Sequence, residues 1–326
     1  MTERRFDPTT RDWITFATHR QNRTYKPQTD FCPLCPTKVD SEPTEIPFPE
    51  FEVVVFDNRF PSFSPNPPEP SVSPTPLSPV APASGRCEVI VYSDNHSLTL
   101  TDLGLARIRM LVEVWVDRWK ILGSDPAIRY VMPFENKGEI VGTTLSHPHG
   151  QIYGYPDIPP VPLRELTAAL EHFEEKGTCI YCDVVEEELR MDTLIVAQTQ
   201  GWIAWVPRWA RFPYEVRLAP KQHRSSLATL TEPERDGLAE ILVEITKTYD
   251  ALWGFSLPYI MAFHQSPTDG DPKWDRISHL HVEFAPPHRT RDRLKYLAGS
   301  ELAGGSFITD VQPEVAAERL RAARAK

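Results

Sequence analysis

The chain has 326 residues, beyond the size at which one hydrophobic core usually keeps growing, so two lobes are expected. Apolar residues make up 40% and charged residues 25%, and no run of about 18 apolar residues occurs to span a membrane. A formal net charge of -10 argues against a nucleic-acid binder, although a few local arginines can still hold one diphosphate. The opening MTERRFDPTTRDW lacks the apolar stretch of a secretory signal, so a cytoplasmic protein is expected.

In chain order, the first marked feature is the pair Cys32 and Cys35. In a reducing compartment such a C-x-x-C reads as a metal or redox site before a disulfide. The segment 61–85 is dense in proline, which forbids regular ladders and helices, and a mobile or polyproline-like surface loop is expected there. A proline-motif ligand for a partner is the alternative. EVIVY at 88–92 alternates like a half-buried strand, and His96 follows it. Apolar residues at helical spacing predict a helix over 102–122, followed by YVMPFEN at 130–136 and HPHGQIY at 147–153.

DIPPVPL at 157–163 reads as a linker, and a helix is expected over about 164–176. Beyond it the order repeats. Cys179 and Cys182 form a second C-x-x-C, and EVRLA at 215–219 leads to His223. A helix is predicted over 232–253, where Thr231 and Glu234 give a capping-box pattern and Pro233 suits a first turn. YIMAFHQ at 259–265 and HLHVEF at 279–284 close the repeat. Six elements recurring in one order exceed what chance similarity of amphipathic segments supplies. The halves are expected at 1–157 and 158–326.

The duplication implies two metal sites, because each C-x-x-C is followed by one His after a strand and another before the last strand. The donors are Cys32, Cys35, His96 and His147 in the first half, and Cys179, Cys182, His223 and His279 in the second. Two thiolates and two imidazoles suit tetrahedral zinc in a closed structural site. Two zinc ions per chain are expected.

HPHGQ is the sharpest motif. Strand alternation sends His149 to the same side as His147, and a neutral imidazole can attack phosphorus when its other nitrogen is held as a donor. Gln151 can then donate to a phosphoryl oxygen as charge develops. Gly150 is expected to let a phosphate approach the backbone. A third metal ligand is the competing reading of His149.

HPHGQ, preceded by FENKG and an early C-x-x-C, resembles the galactose-1-phosphate uridylyltransferase family of the histidine-triad superfamily, from HRQNR at 19–23 to KYLAGSE at 295–301. The resemblance implies an α+β fold of two fused histidine-triad-like halves with antiparallel sheets and packed helices, assembled as a homodimer. It implies transfer of UMP between UDP-glucose and galactose 1-phosphate through a uridylyl-histidine. His149 matches the nucleophile and Gln151 the phosphoryl-holding glutamine. Arg20 and Arg23 match phosphate-binding arginines, and Phe56 and Asn58 match residues around the nucleoside. Asn136 and Thr144 match polar groups at the phosphate, and Lys295 and Glu301 match a C-terminal segment that reaches the sugar.

The chain also departs from the family. Arg59 stands where well-known members have Asp, and GGSF at 304–307 replaces a region carrying Gln. Their second metal site is of an iron type; Glu165, His264 and His281 match it, but Glu283 replaces the last His. The second C-x-x-C instead resembles a two-zinc branch that includes ADP-glucose phosphorylase-like enzymes, so zinc is preferred over iron there. His281 holds the repeat position of the nucleophile but lacks its context and reads as non-catalytic. An ADP-sugar phosphorylase using the same histidine, and a non-catalytic zinc-stapled nucleotide-binding protein, are the competing functions.

Overall fold

The computed structural model describes residues 2–22, 31–38 and 40–325. Its elements begin with β1 (Thr2–Asp7), β2 (Asp12–Ala17), β3 (Val54–Asp57), β4 (Val80–Pro82) and β5 (Arg86–Val91). Helix α1 (Gly104–Gly123), β6 (Tyr130–Lys137), β7 (His149–Tyr155), α2 (Pro160–Lys176) and α3 (Ile180–Met191) follow. Next come β8 (Ile195–Gln198), β9 (Trp202–Trp205), β10 (Val216–Pro220), α4 (Glu232–Trp253) and β11 (Tyr259–His264). The chain closes with α5 (Trp274–Ile277), β12 (His281–Ala285), β13 (His288–Thr290), β14 (Arg293–Leu294), α6 (Gly299–Leu302) and α7 (Pro313–Arg324).

The duplication is visible in the main sheet. Nine antiparallel strands run in the order β3-β5-β7-β6-β11-β12-β10-β9-β8. Outward from the β6–β11 contact, where Ile260 pairs with Asn136 and Met261 with Glu135, β6, β7, β5 and β3 on one side correspond to β11, β12, β10 and β9 on the other, and β8 is an extra strand at the second edge. The two repeats thus share one continuous sheet: β6 and β11 pair across the middle, so neither presents an open edge there.

Side-chain alternation gives the sheet two faces with different jobs. Ile90, Val131, Ile152, Leu218, Phe263 and Val282 point to one face and pack with α1 and α4 in the largest core. Leu111, Val112 and Trp115 from α1 and Leu238, Ile241 and Ile245 from α4 recur at helical spacing, which is why these segments bury a single stripe. The side chain of Glu234 accepts both the backbone N–H and the hydroxyl of Thr231 at 2.8 Å, the capping box read from the sequence.

The opposite face is covered differently in each half. In the second, α3 brings Val185, with Tyr181 and Val184 beside it, over Ile203, Trp205 and Ala219. In the first, Leu34 and Ile46 cover Val89 and Val91, and a cleft remains over β7. Helix α3 was not foreseen, and Pro160, read as linker, opens α2 at a first-turn position where no N–H is needed.

The proline-rich segment departs most from its expectation. Within it Ser64 bridges Ser84, the N–H of Ser64 donating to the Ala83 carbonyl and that of Gly85 to the Ser64 carbonyl at 3.1 Å each, and the N-terminal hairpin supplies further partners from outside. β4 pairs with β1, the N–H of Phe6 donates to the Pro79 carbonyl at 3.0 Å, and Ser71 donates through N–H and hydroxyl to Glu3 at 2.7 and 2.9 Å. Phe63 and Ala83 are buried against Cys87 and Tyr153. The segment is a packed strap, not a free loop.

Candidate active site and metal clusters

The cleft floor is β7, where the alternation of HGQIY sends His149, Gln151 and Tyr153 toward it and Gly150 and Ile152 toward α1. A Cβ added at Gly150 would lie 2.1 Å from the Tyr92 hydroxyl oxygen and 3.1 Å from the Phe134 carbonyl oxygen. The glycine is therefore required by packing beneath the strand, not by a phosphate above it as the sequence suggested.

His149 donates from Nδ1 to the carbonyl oxygen of His147 at 2.7 Å. A carbonyl can only accept, so Nδ1 carries the proton and Nε2 keeps its lone pair. Burial lowers the pKa of the ring below its usual value, partly offset by this bond, and the neutral form prevails near pH 7. Gln151 is oriented as well. Its Oε1 accepts from the Tyr153 hydroxyl at 3.2 Å and from Asn58 Nδ2 at 3.4 Å, which leaves its amide N–H groups as donors to the cleft.

Two cavities meet at His149. One of about 220 Å³ is lined by Arg20, Asn58, Arg59, Gln151 and Tyr153. The other, of about 490 Å³, reaches toward Thr99, Lys137 and Ser256. Asn136, Thr143, Thr144, Leu145 and His149 line both and form their common wall. Arg20 donates from Nη1 to the Phe60 carbonyl and the Ser62 hydroxyl, each at 3.0 Å, so it braces the Asn58–Phe60 wall while lining the first cavity.

Of the residues singled out in the sequence, His149, Gln151, Arg20, Asn58, Asn136 and Thr144 converge here. Phe56 does not line these cavities; it packs with Leu34, Ile46, Val89 and Val91. Arg23 lies outside the described residues. Lys295 and Glu301 are also elsewhere: Lys295 donates to Glu301 at 3.2 Å and to the Ile308 carbonyl, forming a closed pair of their own. Tyr153, Thr143 and Glu45 were missed. HGQIY gave a signal for Tyr153, two residues beyond Gln151 on the same face; Glu45 had none.

The eight Cys and His donors gather into two clusters of four, with ligand atoms in each within 4.8 Å of one another. In the first, Cys35 Sγ lies 3.5 Å from Nδ1 of both His96 and His147. In the second, Cys182 Sγ lies 3.4 Å from His223 Nδ1 and 3.5 Å from His279 Nδ1. A tetrahedral ion bound at about 2.3 Å by sulfur and about 2.0–2.1 Å by nitrogen sets these donors about 3.5 Å apart. The donors fit such an ion. The far nitrogens are also fixed: His147 Nε2 donates to the Ser93 carbonyl at 2.7 Å and His279 Nε2 to that of Pro220 at 3.0 Å. The knuckles differ, since Cys32 and Cys35 sit on a turn, whereas Cys179 caps α3 and Cys182 lies in its first turn.

Glu165, His264, His281 and Glu283 form a third cluster. The sequence presented the iron-type and zinc-type donor sets as alternatives for one second site; the structure holds both, side by side. His281 donates from Nδ1 to the His279 carbonyl at 2.9 Å, so its Nε2 faces Glu165 and Glu283, 3.7 Å from an oxygen of each. Among the described residues that nitrogen has no hydrogen-bond partner. Arg217 stands 2.6 Å from Glu283, and a cavity of about 30 Å³ leaves room for a single ion or water.

Residues 1–159 match the family described as galactose-1-phosphate uridyl transferase, N-terminal domain, and residues 165–326 match its C-terminal domain. The chain is 37% identical to a galactose-1-phosphate uridylyltransferase of Thermotoga maritima, covering 98% of each chain. It is 34% identical to that of Streptomyces lividans, covering 98% of this chain and 86% of the other. A solved uridylyltransferase structure superposes with a TM-score of 0.87 at 34% identity, covering 99% of this chain and 98% of that one. The fold is also that of an ADP-glucose phosphorylase from Arabidopsis thaliana, with a TM-score of 0.74 at 24% identity over 98% and 99% of the two chains.

Proposed function

The chain belongs to the galactose-1-phosphate uridylyltransferase family, and on that footing we propose that Nε2 of His149 is the atom that carries the uridylyl group. The enzyme moves UMP between UDP-glucose and galactose 1-phosphate. The observation that carries the assignment is the bond from His149 Nδ1 to the His147 carbonyl, which leaves Nε2 nucleophilic where two cavities join.

The lone pair on Nε2 attacks the α-phosphorus, and the bond to the bridging oxygen breaks. Glucose 1-phosphate leaves with that electron pair. The ring becomes a uridylyl-imidazolium, whose charge strengthens the Nδ1–H bond to the carbonyl. A phosphate oxygen of galactose 1-phosphate then attacks the same phosphorus, and His149 leaves as a neutral ring. The proton on Nδ1 never moves. Gln151 and Asn136 are suited to hold the phosphoryl oxygens, with Thr144 beside them and Arg20 at the nucleotide end. The smaller cavity would take the nucleoside and the larger one the hexose phosphate.

The two Cys2His2 clusters suit zinc, which would fix the segments through which His147 and His279 lead into β7 and β12. The carboxylate-rich third cluster suits a harder ion such as iron. Thiol ligands suit a reducing cytoplasm, and among the described residues no helix is long and apolar enough to cross a membrane. We read residues 1–157 and 158–326 as the repeated units, and the assembly as a homodimer. Lys295 and Glu301 do not line the cavities of their own chain, so a second copy would have to bring them to the sugar.

Mixing enzyme with UDP-glucose in the absence of acceptor tests the reading. It should release one equivalent of glucose 1-phosphate per chain, and His149→Ala should release none. Release that begins only when galactose 1-phosphate is added would argue for direct transfer.

A further inference from the structure

Glu45 enters the nucleotide cavity from the segment between the first metal cluster and β3. Its backbone N–H donates to the Pro33 carbonyl at 3.0 Å, which sets it beside the apolar wall of Pro33, Leu34 and Val89. Its carboxylate accepts no hydrogen bond among the described residues. The nearest cation is Arg59, with Nη1 at 4.0 Å, a loose approach that restrains the carboxylate without occupying its lone pairs. Burial raises the pKa of this carboxyl and Arg59 opposes the rise. A partly shielded carboxylate with open lone pairs is costly unless a ligand brings donors to it.

The parts of a uridylyl group can be matched against that carboxylate one by one. The phosphates are anionic and are repelled. Uracil offers one N–H flanked by two carbonyl oxygens, so a carboxylate facing it meets more repulsion than attraction. The ribose offers two neighbouring hydroxyls, which a carboxylate can accept together. The hexose hydroxyls belong to the other cavity, which Glu45 does not line.

We propose that Glu45 is a specificity-determining residue of the nucleoside cavity, its carboxylate accepting the ribose 2′- and 3′-hydroxyls while Arg59 keeps it in place. This rests on the placement of the nucleoside in the smaller cavity. Arg59 is mostly exposed, with its side chain 69% accessible, so it acts as a rim restraint.

The test compares UDP-glucose with 2′-deoxy-UDP-glucose in the wild type, Glu45→Ala and Glu45→Asp. Losing one charge-assisted bond should lower wild-type kcat/KM for the deoxy substrate on the order of 10- to 100-fold. In Glu45→Ala the two substrates should converge to within about twofold, and Glu45→Asp should restore part of the gap. Saturating UDP-glucose should still place one uridylyl group on each chain of the variants. Discrimination unchanged in Glu45→Ala, or no discrimination in the wild type, would overturn the assignment to Glu45. Failure of the wild type to become uridylylated at all would instead strike the covalent mechanism.

Discussion

His149 and His281 occupy equivalent places in the two repeats and make the same bond, from Nδ1 to the carbonyl of the residue two before, at 2.7 and 2.9 Å. Each follows a Cys2His2 cluster ligand whose own Nε2 is held by a backbone carbonyl. Their surroundings then diverge. Nε2 of His149 opens on two cavities, whereas Nε2 of His281 faces two glutamates under the ring of Tyr181, stacked at 4.1 Å. One duplicated device opens on a cleft in the first half and on a carboxylate-rich cluster in the second.

Gly150→Ala tests how tightly that device is held. The added methyl collides with the Tyr92 hydroxyl, and we expect a loss of about 1–3 kcal/mol in stability. Displacing His149 should also cut activity on the order of 100-fold. Adding Tyr92→Phe removes the nearest clashing atom and should recover part of both losses, as thermal denaturation and steady-state kinetics would record. No recovery in the double variant would place the constraint at the Phe134 carbonyl.

The pH dependence follows from the buried ring of His149. The nucleophile must be neutral, and burial holds its pKa below the ordinary 6.5. The rate of uridylylation should therefore stay high as pH falls through 6.5 and decline only below it. A single-turnover profile from pH 4.5 to 8 would show this. An acid limb centred at or above about 6.5 would mean that the ring is not shielded.

The metal clusters should differ in their bearing on catalysis. Cys32→Ser with Cys35→Ser should lose one ion and most activity, because the same cluster holds His147, whose carbonyl orients the nucleophile. Cys179→Ser with Cys182→Ser should lose a different ion and melting temperature, with a smaller effect on single-turnover uridylylation. Metal analysis beside kinetics would check both. Equal kinetic losses would show that the two halves are coupled through the shared sheet.

The strap gives a stability prediction opposite to the one its composition suggests. Replacing residues 65–82 by a short Gly/Ser linker removes β4 and both Ser71 bonds to Glu3. A melting temperature lower by at least about 4 °C is expected, consistent with losing more than about 1 kcal/mol in a chain of this size. An unchanged melting temperature would mean that the strap adds nothing to the fold.

Arg20→Ala should raise the Michaelis constant for UDP-glucose at least about tenfold, because it removes a guanidinium from the cleft and a brace from the Asn58–Phe60 wall. Lys120→Ala, on the exposed side of α1, serves as the control and should match the wild type. Equal constants for the two variants would reduce Arg20 to surface charge.

Much of this was legible in the sequence because the repeat tied distant residues together. Cys35 and His147 are 112 positions apart, yet their order recurs with Cys182 and His279, and both pairs close to 3.5 Å. Helices α1 and α4 were legible from apolar spacing, and Thr231 with Glu234 from capping chemistry. What stayed hidden had no local pattern. Glu165, His264, His281 and Glu283 were named only through the family resemblance, because Glu165 and His264 lie 99 residues apart and the repeat position of His264 in the first half holds Glu135; that they form a cluster beside the second Cys2His2 set stayed hidden. Proline content reads as forbidding regular ladders in the strap, yet Val80–Pro82 pairs with β1 and Ser64 bridges Ser84; composition says nothing about partners that lie elsewhere in the chain. The Lys295–Glu301 pair matched a family segment but could not reveal that it lies apart from the cleft of its own chain.

The most direct test of the account is to locate the covalent intermediate. Enzyme treated with UDP-glucose, freed of small molecules and digested at alkaline pH should yield one peptide heavier by a single uridylyl group. Fragmentation should place that group on His149. Adding galactose 1-phosphate before digestion should discharge it as UDP-galactose. A uridylyl group found on His147, His281 or no residue at all, in an enzyme that turns over normally, would contradict the mechanism.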